Sequence, residues 1–389
     1  MRSPLPVSPF RFSLTTEVLF GGNTFATAGD QVRRFGSRPL IVTGKRSARA
    51  AGILDRAMEQ MPNAIVFDAI DENPDTTVCE QCAAACREHD RDVVLAIGGG
   101  SPMDAAKAIA VMARNDAPCA HYFGADKYGK SPLPVVAVPT TAGTGSEVTP
   151  YAVLIDPEQR AKRTISGAAL FPRAAILDPE LTRTMPRHVT VATGLDALSQ
   201  CMEGIVSRKS TPIGDAIALQ GIRRVCEFLP RAANDGGDME ARTEMMCAAL
   251  LSGIIVAQSG TTLVHGMGYS YTIECGIAHG LANALLLAPL FAHNARIAPD
   301  RVATIAEAMG GDATKPGPSV VRALYGLMAQ LGVSPAACDH GVTQAQIETF
   351  AAEIAKDPYR FRNQIGELNR DDVMRFYSQS LVGSADGAA

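Results

Sequence analysis

Tryptophan is absent from the chain, and Phe and Tyr bring the aromatic share to only 5%. A large pocket built on ring stacking is therefore not indicated. Basic runs are missing too: no Lys/Arg cluster exceeds a pair or so, and the formal net charge is −4. That composition excludes a cationic nucleic-acid face and a charge-driven attachment to membranes. Long apolar runs are lacking as well. A bilayer span needs ~18–20 residues, whereas Val93–Ile97 and Leu281–Leu290 are too short or interrupted. The N-terminal Met1-Arg-Ser-Pro-Leu-Pro carries no apolar core of the roughly 7–15 residues that a secretory signal uses, so a cytoplasmic protein is expected. The nine cysteines are odd in number and scattered. Cys79, Cys82 and Cys86 recur at helical spacing, with no second pair or nearby His to complete a zinc site. They read as buried free thiols.

What is present is an ordinary globular balance: 389 residues, 47% hydrophobic and 20% charged, enough for two domains. Short apolar runs at Pro39–Thr43, Ala64–Ile70, Asp92–Ile97 and Pro134–Val138 alternate with helical patterns at Ala48–Met61, Thr77–His89 and Met103–Arg114. Strands alternating with helices predict an α/β domain, a parallel sheet covered on both faces. Past Pro179 the β-branched runs stop. Gly194–Ser207, Pro212–Phe228, Met239–Ala257, His279–Leu290, Ser319–Leu331 and Thr343–Lys356 read as helices, so this half is expected to be all-α. The boundary falls near Pro179–Pro186, giving residues 1–180 and 181–389. Asp357–Arg370 reads as a polar surface connection and Gly383–Ala389 as a frayed tail.

Two loops carry the first chemical signal. Gly98-Gly99-Gly100-Ser101 follows one predicted strand and opens a helix whose first turns hold Asp104 and Lys107. Glycines let backbone N–H groups approach a ligand, and the helix N-terminus favours an anion. At the C-terminal end of a parallel strand this is a pyrophosphate cradle, although the G-x-G-x-x-G pattern is not matched and a simple tight turn fits the same residues. Pro139-Thr140-Thr141-Ala142-Gly143-Thr144-Gly145-Ser146-Glu147 also follows a strand, and its hydroxyls and amides suit a nucleotide. The second signal is sparse. Of seven histidines, His265 and His279 lie 14 apart in a Gly-rich segment, while Asp196 sits on a predicted helix with Gln200 one turn on. Spacing leaves two readings open, a metal site or satisfied core histidines.

Together, Gly98-Gly-Gly-Ser-x-x-Asp104-x-x-Lys107, the Pro139–Glu147 loop, Gly194-Leu-Asp196-Ala-Leu and His279-Gly-x-Ala-Asn283 resemble the iron-containing (group III) alcohol dehydrogenases, in order and spacing, from about Phe20 to the C-terminal helices. The resemblance implies a Rossmann-like nucleotide-binding α/β domain followed by a helical metal and substrate domain, the superfold shared with dehydroquinate synthase, with the active site in the cleft between. It implies hydride transfer between NAD(P) and a small alcohol or aldehyde, and a homodimer or higher assembly. Gly98, Gly99, Gly100, Ser101, Asp104, Thr140, Thr141, Thr144 and Ser146 would bind the cofactor. The family's metal ligands fall on Asp196, Gln200, His265 and His279; the second is normally His, so Gln200 is a departure. A further His that often faces the substrate is here Tyr269. A neutral amide oxygen is a weaker donor than imidazole nitrogen, yet three strong ligands and an open position still describe a catalytic site for Fe²⁺ or Zn²⁺. Without metal, His265, His279, Tyr269 and Lys162, which matches a Lys recurring near the family's cleft, would stabilise the oxyanion. Lys162 is also a cofactor candidate. NAD-preferring relatives often place an Asp where this chain has Gly44-Lys45-Arg46-Ser47; loss of that acid beside two bases favours NADPH over NADH. The other readings are a metal-free reductase of an activated carbonyl, similar to maleylacetate reductases, and a degenerate nucleotide-binding member without catalysis.

Overall fold

The structure is a computed structural model that describes residues 9–159 and 161–384. The opening hexapeptide and residues 385–389 of the expected tail lie outside the described residues. The chain divides into two compact units. One comprises Thr15–Thr190 with Asn234–Gly253; the other comprises Val191–Ala233 and the chain from Ile254 onward, with residues 9–14.

The first unit runs β1 (Glu17–Phe20), α1 (Ala28–Arg33), β2 (Pro39–Gly44), α2 (Ser47–Ala50), α3 (Ile53–Gln60), β3 (Ile65–Ile70), α4 (Thr76–Glu88), β4 (Val93–Gly98), α5 (Gly100–Met112), β5 (Gly124–Ala125), β6 (Val135–Pro139), β7 (Tyr151–Asp156), β8 (Ala161–Ser166) and β9 (Ala174–Leu177). Six strands form a wholly parallel sheet in the order β1-β9-β6-β4-β2-β3. The alternation of strand side chains splits the core in two. Val94 and Ala96 of β4 pack with Met103, Ala106 and Ile109 of α5 and with Cys79, Cys82 and Cys86 of α4. Val93, Leu95 and Ile97 face the other way, onto Phe25, Val32, Ile53 and Leu54. None of the nine cysteines is in a disulfide, and the three on α4 are buried, as their spacing suggests. Sequence patterning misses β1, β5, β7, β8 and β9. The β8 segment Ala-Lys-Arg-Thr-Ile-Ser carries charge and pairs antiparallel with β7 in a separate sheet, β5-β8-β7.

Beyond β9 the chain is helical: α6 (Arg187–Ile205), α7 (Pro212–Asn234), α8 (Met239–Ser259), α9 (Leu263–Cys275), α10 (His279–Ile297), α11 (Pro299–Ala308), α12 (Pro316–Gln330), α13 (Gln344–Lys356) and α14 (Arg370–Leu381). The fold class is the expected one. Among the described residues, no single helix is long and apolar enough to cross a membrane. Two expectations need correction. Asp357–Arg370 is not a mere surface connection, because Asn363 and Gln364 are buried and grip the α9 entry. Asn363 Nδ2 donates to the Thr261 carbonyl at 3.0 Å, and Gln364 Oε1 accepts from Leu263 N at 3.4 Å. Gly383 and Ser384 are not tail: their N–H groups close the end of α14 by donating to the carbonyls of Ser380 and Gln379.

Candidate metal centre and nucleotide loops

Asp196, Gln200 and Glu203 follow one another at i, i+4 and i+7, so they share one face of α6. All three are buried. Helix α9 supplies His265 and Tyr269 to this face, and α10 begins with His279. Two glycines let the helices approach this closely. A Cβ on Gly280 would stand 1.8 Å from the Ala192 carbonyl oxygen and 2.8 Å from Asp196 Cβ, and one on Gly268 would stand 2.1 Å from Asn283 Oδ1.

The ligand atoms of Asp196, His265 and His279 all lie within 4.8 Å of one another. Both imidazoles turn Nε2 toward Asp196 Oδ1, at 3.4 Å from His265 and 3.9 Å from His279. Asn283 Nδ2 donates to the same oxygen at 3.1 Å. On the far side of its ring, His265 Nδ1 bonds Glu203 Oε2. Tyr269 stacks on His279, with ring centroids 5.2 Å apart and planes 12° from parallel.

The electrostatics fit a cation. Burial by itself would lower the His265 imidazole, but the charge of Glu203 and the bonds to Asp196 and Glu203 raise it to about 10. Burial pushes the Asp196 carboxyl up, yet the bonds from His265 and Asn283 and the attraction of both imidazoles hold it below the usual range. Two buried carboxylates, Asp196 and Glu203, thus share the His265 imidazole between them. Gln200 gives a second sign. Its Nε2 donates to Asp196 Oδ2 at 2.9 Å, while its Oε1 is buried without a hydrogen-bond partner. A buried amide oxygen left unsatisfied is costly, and rotating the amide would offer that oxygen to an ion beside Asp196. One carboxylate, two imidazole nitrogens and an available amide oxygen suit Fe²⁺ or Zn²⁺.

In the α/β unit the two loops interlock at the C-terminal ends of β4 and β6. Thr140 N donates to the Gly98 carbonyl at 2.9 Å. Gly98 has φ 146°, and a Cβ on it would strike Pro102 Cγ at 2.7 Å. Cβ atoms on Gly99 and Gly100 would meet Thr141 Oγ1 at 3.1 Å and Thr144 Cγ2 at 2.8 Å. These glycines therefore serve loop-to-loop packing as well as ligand approach. Ser101 Oγ accepts from Asn73 N at 3.1 Å, and Lys162 Nζ donates to Asn73 Oδ1 at 2.7 Å. Beneath the loops Lys107 is 1% exposed. Its Nζ donates to Ser146 Oγ at 2.6 Å, Thr149 Oγ1 at 3.2 Å and the Tyr151 carbonyl at 2.8 Å, and sits 3.5 Å from Asp104 Oδ1. Asp104 Oδ1 also accepts from Ser146 Oγ, and Oδ2 accepts from Val153 N at 3.0 Å. Asp104 and Ser146, read from sequence as cofactor contacts, are thus spent on bracing the loops. At the end of β2, Gly44 leads into Lys45, Arg46 and Ser47, the last opening α2. Lys45 Nζ pairs with Asp71 Oδ2 at 2.5 Å, with both side chains exposed.

Sequence reasoning gave no role to Glu203 or Asn283. An acid in phase with Asp196 and Gln200 on α6 was the available sign for Glu203. Asn283 stands one turn after His279.

Residues 15–179 match the family model for iron-containing alcohol dehydrogenase, and residues 190–381 match the model for the C-terminal part of that family. The choline dehydrogenase of Bacillus subtilis (strain 168) is 34% identical over 367 residues, covering 90% of each chain. Among solved structures, a 1,3-propanediol oxidoreductase superposes with a TM-score of 0.91 at 29% identity, covering 96% of this chain and 100% of its own. A sulfoacetaldehyde reductase from Bifidobacterium kashiwanohense, in complex with NAD+, superposes with a TM-score of 0.89 at 30% identity, covering 97% and 100%.

Proposed function

The chain belongs to the iron-containing alcohol dehydrogenase family, and on that premise we propose how its own residues divide the work. It is an oxidoreductase that transfers hydride between a nicotinamide nucleotide and an alcohol or the corresponding aldehyde. The observation that carries the residue assignment is the cluster of buried Asp196 and His265 with half-buried His279. These three are the metal ligands, and Gln200 turns its amide oxygen inward as the fourth, for Fe²⁺ or Zn²⁺. A divalent ion bound there supplies Lewis-acid polarisation of the substrate oxygen. The protein contributes the rest. Asn283 fixes the Asp196 carboxylate by donating to its Oδ1. Tyr269, aligned by its stack on His279, holds at its hydroxyl the proton exchanged with the substrate oxygen.

Residues 1–180 hold the nucleotide and residues 181–389 the metal and substrate. The backbone of Gly98–Ser101 and the hydroxyls of Thr140, Thr141 and Thr144 bind the pyrophosphate. Gly44, Lys45, Arg46 and Ser47 take a ribose 2′-phosphate, so NADPH is preferred over NADH. The relatives' names cover choline, 1,3-propanediol and sulfoacetaldehyde, which supports a small, polar or aliphatic substrate. The protein is assigned to the cytoplasm and to a homodimer or larger homo-oligomer. The test is metal content after purification without chelators, measured by inductively coupled plasma mass spectrometry beside NADPH-linked turnover of small aldehydes. Near-stoichiometric Fe or Zn is expected. A chain that stays metal-free yet turns over after anaerobic addition of Fe²⁺ or Zn²⁺ sinks the ligand assignment and leaves His265, His279, Tyr269 and Lys162 as the oxyanion donors.

A further inference from the structure

Glu203 lies seven residues beyond Asp196 on α6, with no solvent exposure. An uncompensated carboxylate at that depth is strongly destabilising, so its partners define its purpose. One oxygen, Oε1, accepts from Thr262 N at 2.8 Å, Thr262 Oγ1 at 2.7 Å and His265 N at 3.3 Å. These groups are the start of α9. Thr262 occupies its N-cap position but makes no capping bond with its own side chain, so the first-turn N–H groups would otherwise lack an acceptor. Glu203 caps α9 from a different helix, and its charge lies at the favourable end of the helix dipole. The other oxygen, Oε2, bonds His265 Nδ1, and the opposite ring nitrogen, Nε2, points at Asp196 Oδ1.

We propose that Glu203 is the positioning residue of the metal centre: its one carboxylate sets both where α9 begins and which nitrogen of His265 faces the ion. Two oxygens with different duties make this more than a cap. A carboxylate on Nδ1 fixes the proton there, leaves the Nε2 lone pair free for a cation and makes that nitrogen a stronger donor. Because Oε1 holds the backbone of His265 while Oε2 holds its ring, the side chain has neither its position nor its tautomer left to choose. The inference rests on the metal reading of Asp196, His265 and His279.

The test compares Zn²⁺ affinity by titration calorimetry in the full-length wild type, Glu203→Gln and Thr262→Val. Glu203→Gln should weaken Zn²⁺ binding about 10–100-fold and alter the visible spectrum of the Co²⁺-loaded protein. Thr262→Val, which removes a donor from Oε1 and leaves His265 untouched, should lower Tm and keep the wild-type affinity. A Glu203→Gln protein that loses Tm but binds Zn²⁺ as the wild type does would show a cap and nothing more. A wild type that binds neither Zn²⁺ nor Co²⁺ would bring down the metal reading itself, and the inference with it. Should Glu203→Gln not fold, ¹⁵N-histidine spectra of the Zn²⁺-loaded wild type, in which His265 is not doubly protonated, decide the matter, with His265 assigned by difference from His265→Gln. Protonation at Nδ1 supports the proposal, and protonation at Nε2 overturns it.

Discussion

At the residue scale, Gln200 and Gly44, two of the positions where the chain departs from its relatives, have different settings. Gln200 sits where the structure leaves a buried amide oxygen without a partner and an amide nitrogen on Asp196. Gln200→His would exchange a weak neutral donor for imidazole, and Zn²⁺ affinity should rise by about 10–100-fold, the scale on which changes around metal ligands act. Competition against a fluorescent chelator reads this directly, and an unchanged constant would mean position 200 does not touch the ion. At the other site, Gly44 has room for a side chain: a Cβ there meets the Ile70 carbonyl at 3.5 Å and Pro102 Cγ at 3.9 Å, both ordinary contacts. Gly44→Asp should therefore fold and shift the cofactor preference toward NADH, because a carboxylate repels a 2′-phosphate and accepts from a 2′-hydroxyl. The ratio of kcat/KM for NADPH and NADH measures it. A ratio that does not fall removes Gly44–Ser47 from the phosphate site. The Lys45–Asp71 pair already shows that one of the two bases has a competing partner.

At the element scale, three helices converge because glycines replace side chains at the contacts. Gly280→Ala would drive a methyl into the Ala192 carbonyl and the Asp196 turn. It should cost about 1–3 kcal/mol, seen as a lower Tm, and should weaken metal binding because the displaced turn carries Asp196. A variant with unchanged Tm would mean α10 can slide without cost. Much of this level was legible in the residues. Motif order pointed to Asp196, His265 and His279, which the structure brings together, and alternating apolar runs pointed to the parallel sheet. What was hidden had physical reasons. Helix α9 contains Gly266 and Gly268, which read as loop-like until Asn283 is seen filling the space. Strand β8 is polar because it lies outside the main sheet. Asn363 and Gln364 look solvent-loving in sequence, yet they are buried to satisfy backbone groups near Thr261 and Leu263. Helical texture also cannot say which helix packs where: Asn234–Gly253 belongs to the α/β unit, where Ser252 Oγ donates to the Gly143 carbonyl and Gly253 lies against Gly145.

At the scale of the whole molecule, stability should carry the mark of the loop brace. Burial raises the Glu147 carboxyl from its usual 4.5 to about 7, opposed by its own backbone N–H and by the charge of Lys107. The folded chain then holds a proton that the unfolded chain has released, so unfolding free energy falls as pH rises from about 4.5 to 7 and levels off above. Glu147→Gln should flatten that part of the profile in urea melts taken across the window. An identical slope in the variant would assign it to other groups. Lys107 lends the same brace a further use. Its buried amine is held by Ser146, Thr149 and Tyr151, and an acylating reagent in water can reach it only when that packing opens. The rate at which native protein gains a label at Lys107 would thus serve as a clock for loop opening, readable by mass spectrometry with no substrate, metal or nucleotide in the tube.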